Sequence, residues 1–148
     1  MARIRLPPRP LQLQVLPVVM EDIEDKCGDL VREAFLAVVE QLKSDEELLK
    51  HLLRDWFGER PGDRWIEEIG VRRVAEVGRD EGRSLWRFKI WKLENGGLKF
   101  RFFYGYFDPA KLIVILGIDE KHNDTYDPNS ELVRRVCADF DRLFAKYG

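Results

Sequence analysis

A chain of 148 residues is the size of one domain, and 45% hydrophobic with 35% charged residues describes a globular protein with a heavily charged exterior, neither disordered nor membrane-embedded. No apolar stretch approaches the ~20 residues a membrane helix needs. The formal net charge of −2 argues against general affinity for nucleic acid, because binding to the phosphate backbone draws on Lys and Arg releasing counterions.

The average conceals an uneven distribution. Residues 20–82 carry ten basic and eighteen acidic side chains, whereas residues 83–122 carry eight basic and four acidic ones, so an acidic half precedes a basic segment. Cys27 and Cys137 are far apart and suggest neither a disulfide framework nor a CxxC metal site; both are expected to be buried, reduced thiols. The opening MARIRLPPRPLQLQVLPVVM sets basic residues before apolar ones, but prolines and glutamines interrupt any signal-peptide core, and a cytoplasmic location is expected.

Residues 3–10, RIRLPPRP, hold three prolines and predict an extended arm over residues 1–10 ahead of a single domain over 11–148. LQLQVLPVV alternates apolar and polar residues before turning wholly apolar, the pattern of a short strand that Pro17 pushes toward a sheet edge. From Glu21 the period changes. Ile23, Cys27, Leu30, Val31, Ala34, Val38 and Leu42 form the stripe of one amphipathic helix of about twenty residues. Ser44 with Glu47 is a capping-box pattern that opens a second helix burying Leu48, Leu49, Leu52, Leu53 and Trp56, and the two helices read as a hairpin. His51, beside that stripe, is expected to be structural. GDRWIEEIG is a short turn or helix.

Four strands are then predicted over residues 71–77, 85–93, 98–107 and 111–118. ENGG, with Asn95-Gly96, marks a hairpin turn between the second and third, and DPA marks another between the third and fourth, so an antiparallel meander follows. SELVRRVCADFDRLFAKY carries Leu132, Val133, Val136, Phe140, Leu143 and Phe144 on one face of a terminal helix capped by Asn129 or Ser130. The expected fold is therefore α+β: a small antiparallel sheet with an N-terminal strand, a helical hairpin and a C-terminal helix packed on it.

Alternation along the second and third strands puts Arg87, Lys89, Lys99 and Arg101 on a common solvated face, interleaved with the rings of Trp91 and Phe103. Cations for phosphates and rings for unstacked bases suit RNA. The same pattern also serves a half-exposed antiparallel sheet, which needs polar residues on its wet side. The strand LIVILGI runs directly into EKHNDTYDP, residues 120–128, whose side chains can donate, accept and transfer protons. His122 is the one among them that titrates near neutrality unperturbed; it suits a general acid or base, or equally a turn-stabilising role in a loop where Asn123 and Asp124 are ordinary turn residues.

From Phe88 to the C-terminus, FKIWKLENGGLKFRFFYGYFDPAKLIVILGIDEKHNDTYDPNSELVRRV resembles the RelE/ParE toxin superfamily, in particular its RelE and HigB-like branches. The features that carry the resemblance are FKI on a strand, a Gly-containing turn, the RxxY element from Arg101 to Tyr104, an apolar strand, a basic segment ending in Tyr126, and a final helix. With the preceding strand and helices it covers residues 11–146. The resemblance implies a metal-independent mRNA endoribonuclease without a cofactor, often acting on the ribosome and held inactive by a cognate antitoxin. On this sequence it makes Arg101 a phosphate-binding charge stabiliser and Lys89 a phosphate ligand or base. Lys121 and His122 take the basic position after the last strand, and Tyr126 stacks on a base or orients the 2′-hydroxyl. Arg87, Lys99, Lys121 and Trp91 extend the RNA-binding surface. The sequence departs from the family pattern at Trp91, where a second lysine is usual, and at Lys121-His122, where an arginine is usual. A second reading is a catalytically inactive RelE/ParE-fold module that binds protein, with the acidic helical half favouring basic partners.

Overall fold

The computed structural model describes residues 9–59, 69–74, 82–122 and 125–148. Most of the predicted arm, most of GDRWIEEIG, the end of the strand predicted at 71–77, and Asn123 and Asp124 lie outside the described residues. Five strands form one sheet in the order β1-β5-β4-β3-β2: β1 (Gln12–Val15), β2 (Ile69–Arg73), β3 (Leu85–Ile90), β4 (Phe100–Phe107) and β5 (Leu112–Glu120). The last four are an antiparallel meander. β1 joins at the edge, parallel to β5, with Gln12 opposite Leu112 and Val15 opposite Ile115. With α1 (Pro17–Asp22), α2 (Asp29–Ser44), α3 (Glu46–Lys50), α4 (Trp91–Asn95) and α5 (Glu131–Tyr147), the domain is α+β, opening on a strand and closing on a helix as the sequence predicts. Among the described residues no helix is long and apolar enough to cross a membrane.

Local departures have local causes. The first strand lies at the sheet edge as predicted but stops at Val15, and Pro17 opens α1 at a first-turn position, where its missing N–H breaks no helical bond. The predicted twenty-residue helix is divided by a π-helical turn over Ile23–Cys27 and by Gly28 at φ +80°. α2 therefore restarts its phase at Asp29: Val31, Phe35, Val38, Val39 and Leu42 are buried, and Leu30 is left 68% exposed. Asp45 rather than Ser44 caps α3, accepting a bond from the Leu48 N–H at 3.1 Å. α3 passes into a 3₁₀ turn over His51–Leu53, where His51 stacks on Phe57 with ring centroids 4.2 Å apart. Trp56, predicted in the buried stripe, is exposed beneath the Arg72 guanidinium, 3.4 Å from its ring centroid. The strand predicted to reach Leu93 stops at Ile90, because Trp91–Asn95 coil into α4 ahead of Gly96 and Gly97. Phe144, also predicted buried, is 54% exposed and stacks on Phe140. Cys27 and Cys137 are half-buried.

Helices cover both faces of the sheet. On the first face Phe35 of α2 stacks on Phe102 at 5.1 Å and Phe88 on Phe102 at 4.8 Å, within a core that also takes Ile113, Ile115 and Tyr104. The wholly buried Tyr104 hydroxyl donates to the Leu52 carbonyl, tying the central strand to the 3₁₀ turn. On the second face Val133, Val136, Phe140 and Leu143 of α5 lie on Leu85, Phe103, Phe107, Val114 and Leu116. Ser130 caps α5 through the Val133 N–H.

α5 approaches the strands closely because two sheet positions facing it lack side chains. A Cβ at Gly105 would stand 2.7 Å from Phe140 Cδ2, and one at Gly117 would stand 2.8 Å from Val136 Cγ2. Gly105→Ala is therefore expected to destabilise the protein by about 1–3 kcal/mol through overpacking, read by urea unfolding. A variant as stable as the wild type would mean that α5 is free to shift off the sheet.

Candidate functional site

Alternation along β3 and β4 sends Arg87, Lys89, Arg101 and Phe103 to the face that α5 covers further along, with Arg87 opposite Phe103 and Arg101 opposite Asp119 of β5. The predicted common face exists, but for these cations it is not solvated. Arg87 is 9% and Arg101 4% exposed, and the Lys89 side chain is 14% exposed. Lys99, one residue ahead of β4, is exposed. A charge this deep needs a partner, and each of the three has one.

The partners are two glutamates. Glu59 presents one carboxylate oxygen to Arg87 Nη1 at 2.6 Å and the other to Lys89 Nζ at 3.0 Å. Arg87 also donates to the Gly70 carbonyl at 3.3 Å. Glu59 is held at the end of a tight turn. Gly58 before it has φ +71°, and a Cβ there would stand 2.0 Å from the Ile69 carbonyl oxygen, so glycine is required. The Trp91 indole N–H donates to the Gly58 carbonyl at 2.9 Å, and the Trp91 ring lies 4.2 Å from Lys89 Nζ. Glu94, on α4, takes Arg101 Nη1, which also donates to the Phe100 carbonyl at 3.0 Å. The buried Nε of Arg101 has no hydrogen-bond partner among the described residues.

The second group stands at the end of β5. His122 Nε2 lies 3.1 Å from Asp119 Oδ2, and the imidazole is 52% exposed. Its backbone N–H donates at 2.7 Å to the hydroxyl of Thr125, which is fully buried and fixes the turn. Burial raises the Asp119 carboxyl above its ordinary value, and the neighbouring imidazole opposes that rise. Lys121 is exposed, its backbone N–H bonded to the Lys99 carbonyl at 2.7 Å, so the two lysines meet where β4 and β5 run out. Tyr126 packs edge-on against Phe103, with ring centroids 5.8 Å apart. An open cleft of about 600 Å³ adjoins this end, lined by Asp22, Lys26, Cys27, Asp119, His122 and Arg135 among others. Arg135 of α5 reaches Asp22 of α1 at 3.1 Å across it.

The fold thus groups Arg87, Lys89 and Trp91 around Glu59, seats Arg101 on Glu94, and gathers Lys99, Lys121 and His122 at the strand ends, with Tyr126 joined to the shared face through Phe103. Sequence reasoning missed Glu59, Glu94 and Asp119. The last had a signal, since it precedes His122 by three residues; Glu59 had none, lying 28 residues from Arg87. Among the described residues no three His, Cys, Asp or Glu side chains are grouped to hold a metal ion. No protein-family model, curated protein or solved structure matches this chain.

Burial pulls the Lys89 ammonium below its ordinary value, Glu59 opposes that shift, and the charges of Arg87 and Arg101 add to it. A depressed folded value means that the contribution of Lys89 to stability is full above the pKa of an unfolded lysine and is lost as pH falls through the lowered one. Titration of ¹³C-methylated lysines by NMR is expected to give Lys89 a midpoint below 10.5, and Glu59→Gln is expected to lower it further. A midpoint unchanged by that substitution would disprove the pairing.

Proposed function

We propose that this chain is a RelE/ParE-type toxin that cleaves single-stranded mRNA, with the ribosome as the setting and an antitoxin protein as the restraint that the sequence resemblance implies. In the reaction a ribose 2′-oxygen attacks the adjacent phosphorus in line, loses its proton, and expels the 5′-oxygen, which must gain one. Extra negative charge develops on the phosphate oxygens as it does so. The observation that carries this reading is the sharing of one sheet face by Arg87, Lys89 and Arg101, the last in cross-strand register with Asp119, which pairs with His122 at the end of β5.

Under this reading the roles divide by exposure. His122, half-exposed and bonded to Asp119, moves the proton. Lys99 and Lys121 bring the phosphate backbone to it. Arg101 and Lys89 supply the field in which charge develops, the planar fork of Arg101 being suited to a phosphate. The Tyr126 and Trp91 rings offer faces to unstacked bases. One observation favours the second reading, a protein-binding module without catalysis: both arginines are already neutralised by carboxylates of the same chain.

Induced expression in bacteria with mRNA 5′ ends mapped separates the two. Growth arrest with new 5′ ends is expected for the wild type, and His122→Ala, at a position whose side chain is 52% exposed, is expected to reduce cleavage by about 10²-fold or more. Intact mRNA beside the wild type would leave the binding module; cleavage undiminished in His122→Ala would remove the acid–base role from this histidine.

A further inference from the structure

We infer that the Glu59 and Glu94 carboxylates occupy the places of two RNA phosphates, so that the chain carries its own competing anions and RNA binds by displacing them. The inference rests on the RNA reading above and names the regulation of that site.

The Glu59 recess has the form of an oxyanion site. Two carboxylate oxygens are taken by two different cations, Arg87 Nη1 at 2.6 Å and Lys89 Nζ at 3.0 Å, an arrangement that two oxygens of a phosphodiester reproduce. The recess is kept open by a missing side chain. A Cβ at Gly70 would lie 3.0 Å from Glu59 Oε1 and 3.2 Å from Lys89 Cε. The Trp91 ring lies against the same ammonium, 4.2 Å from Nζ, and its indole N–H ties it to the turn that carries Glu59. At the second position Arg101 uses Nη1 on Glu94 while its buried Nε stays without a partner among the described residues, so the guanidinium keeps donor capacity that one carboxylate does not fill.

Energetics make the occupants exchangeable. A buried ion pair roughly repays its own desolvation, so it holds geometry without adding much net stability. Removing one partner is different, because it strands buried charge. Loss of a glutamate must therefore be answered by unfolding or by another anion. A polyanion that delivers phosphates to both positions meets three cations, Arg87, Lys89 and Arg101, and frees the two glutamate side chains to turn toward water. Until then the strongest phosphate ligands of the site are closed, while Lys99, Lys121 and His122 stay accessible.

The test uses the full chain with Glu59→Gln and, separately, Glu94→Gln. Thermal unfolding is followed in inorganic phosphate and in chloride of equal ionic strength, and binding of a short fluorescent single-stranded RNA is measured at low salt. Phosphate at tenfold above its Kd is expected to raise the Tm of each variant by roughly 3–6 °C beyond its effect on the wild type. RNA binding is expected to tighten about tenfold in each variant. If Glu59→Gln does not fold in chloride, folding on addition of phosphate is the expected result, and Glu94→Gln gives the same reading independently. Equal phosphate shifts in wild type and variants would overturn the inference and leave the glutamates as structural ties. Phosphate rescue with RNA bound by neither wild type nor variants would keep the anion site and overturn the RNA reading on which its proposed ligand rests.

Discussion

The contact on which the rest of the architecture depends is the seating of α5 on the sheet at Gly105 and Gly117. Without those two bare positions the helix would stand off from β4 and β5, and the layer of Phe103, Phe107, Val114 and Leu116 would meet water. The opposite face is already closed by α2 and the 3₁₀ turn, with Tyr104 bonded to Leu52. A sheet covered on both sides has no wet face on which to display cations, although antiparallel sheets often keep one. Arg87 and Arg101, placed by alternation on the α5 side but beyond the helix's apolar footprint, must then find counter-charges within the chain.

That requirement gives the division of charge along the sequence a structural meaning. The acidic half is not simply a solvated surface opposed to a basic binding segment. Asp22 reaches Arg135, Asp55 reaches Arg72, and Glu59 reaches Arg87 and Lys89, so acidic residues of the first half meet cations of the sheet and of α5. The Asp22 and Asp55 pairs are partly exposed and contribute little to stability. The Glu59 group differs in burial and in being assembled around a turn that only Gly58 permits.

Periodicity made the meander, α5 and the core of α2 legible, because burial on one side of a regular element repeats at a fixed spacing. It could not show where an element stops. Trp91, Leu93 and Lys92 continue the strand alternation of β3, yet they coil into α4, and that turn of helix is what delivers Glu94 to Arg101. Leu30 fits a helical stripe extrapolated from Ile23, but the π turn and Gly28 reset the phase before it. The same limit applies to the site. Arg87, Lys89 and Arg101 were readable as one face from alternation alone; their burial was not, since it depends on coverage by other elements. Glu59 is joined to them by chain closure over 28 residues, a long-range pairing with no local pattern. Asp119 was within reach of sequence reasoning, since it stands three residues ahead of His122.

Electrostatics also constrain how a nucleic acid would approach. Among the residues lining the cleft, Asp119, Glu120, Asp127 and Glu131 add to an Asp22 already paired with Lys26 and Arg135, so acidic side chains predominate there and disfavour a phosphate backbone from that direction. Lys99 and Lys121 border the opposite approach, over the ends of β4 and β5, where the Lys121 N–H and Lys99 carbonyl bond the two strands. Under the RNA reading, a single strand would enter from that side, past His122 and toward the Arg101 and Arg87 positions. The cations that would grip it most firmly come last on that route and are the ones already paired. Entry would then depend on the exposed lysines and weaken with salt as surface contacts do, while the deeper pairs would respond to which anion fills them.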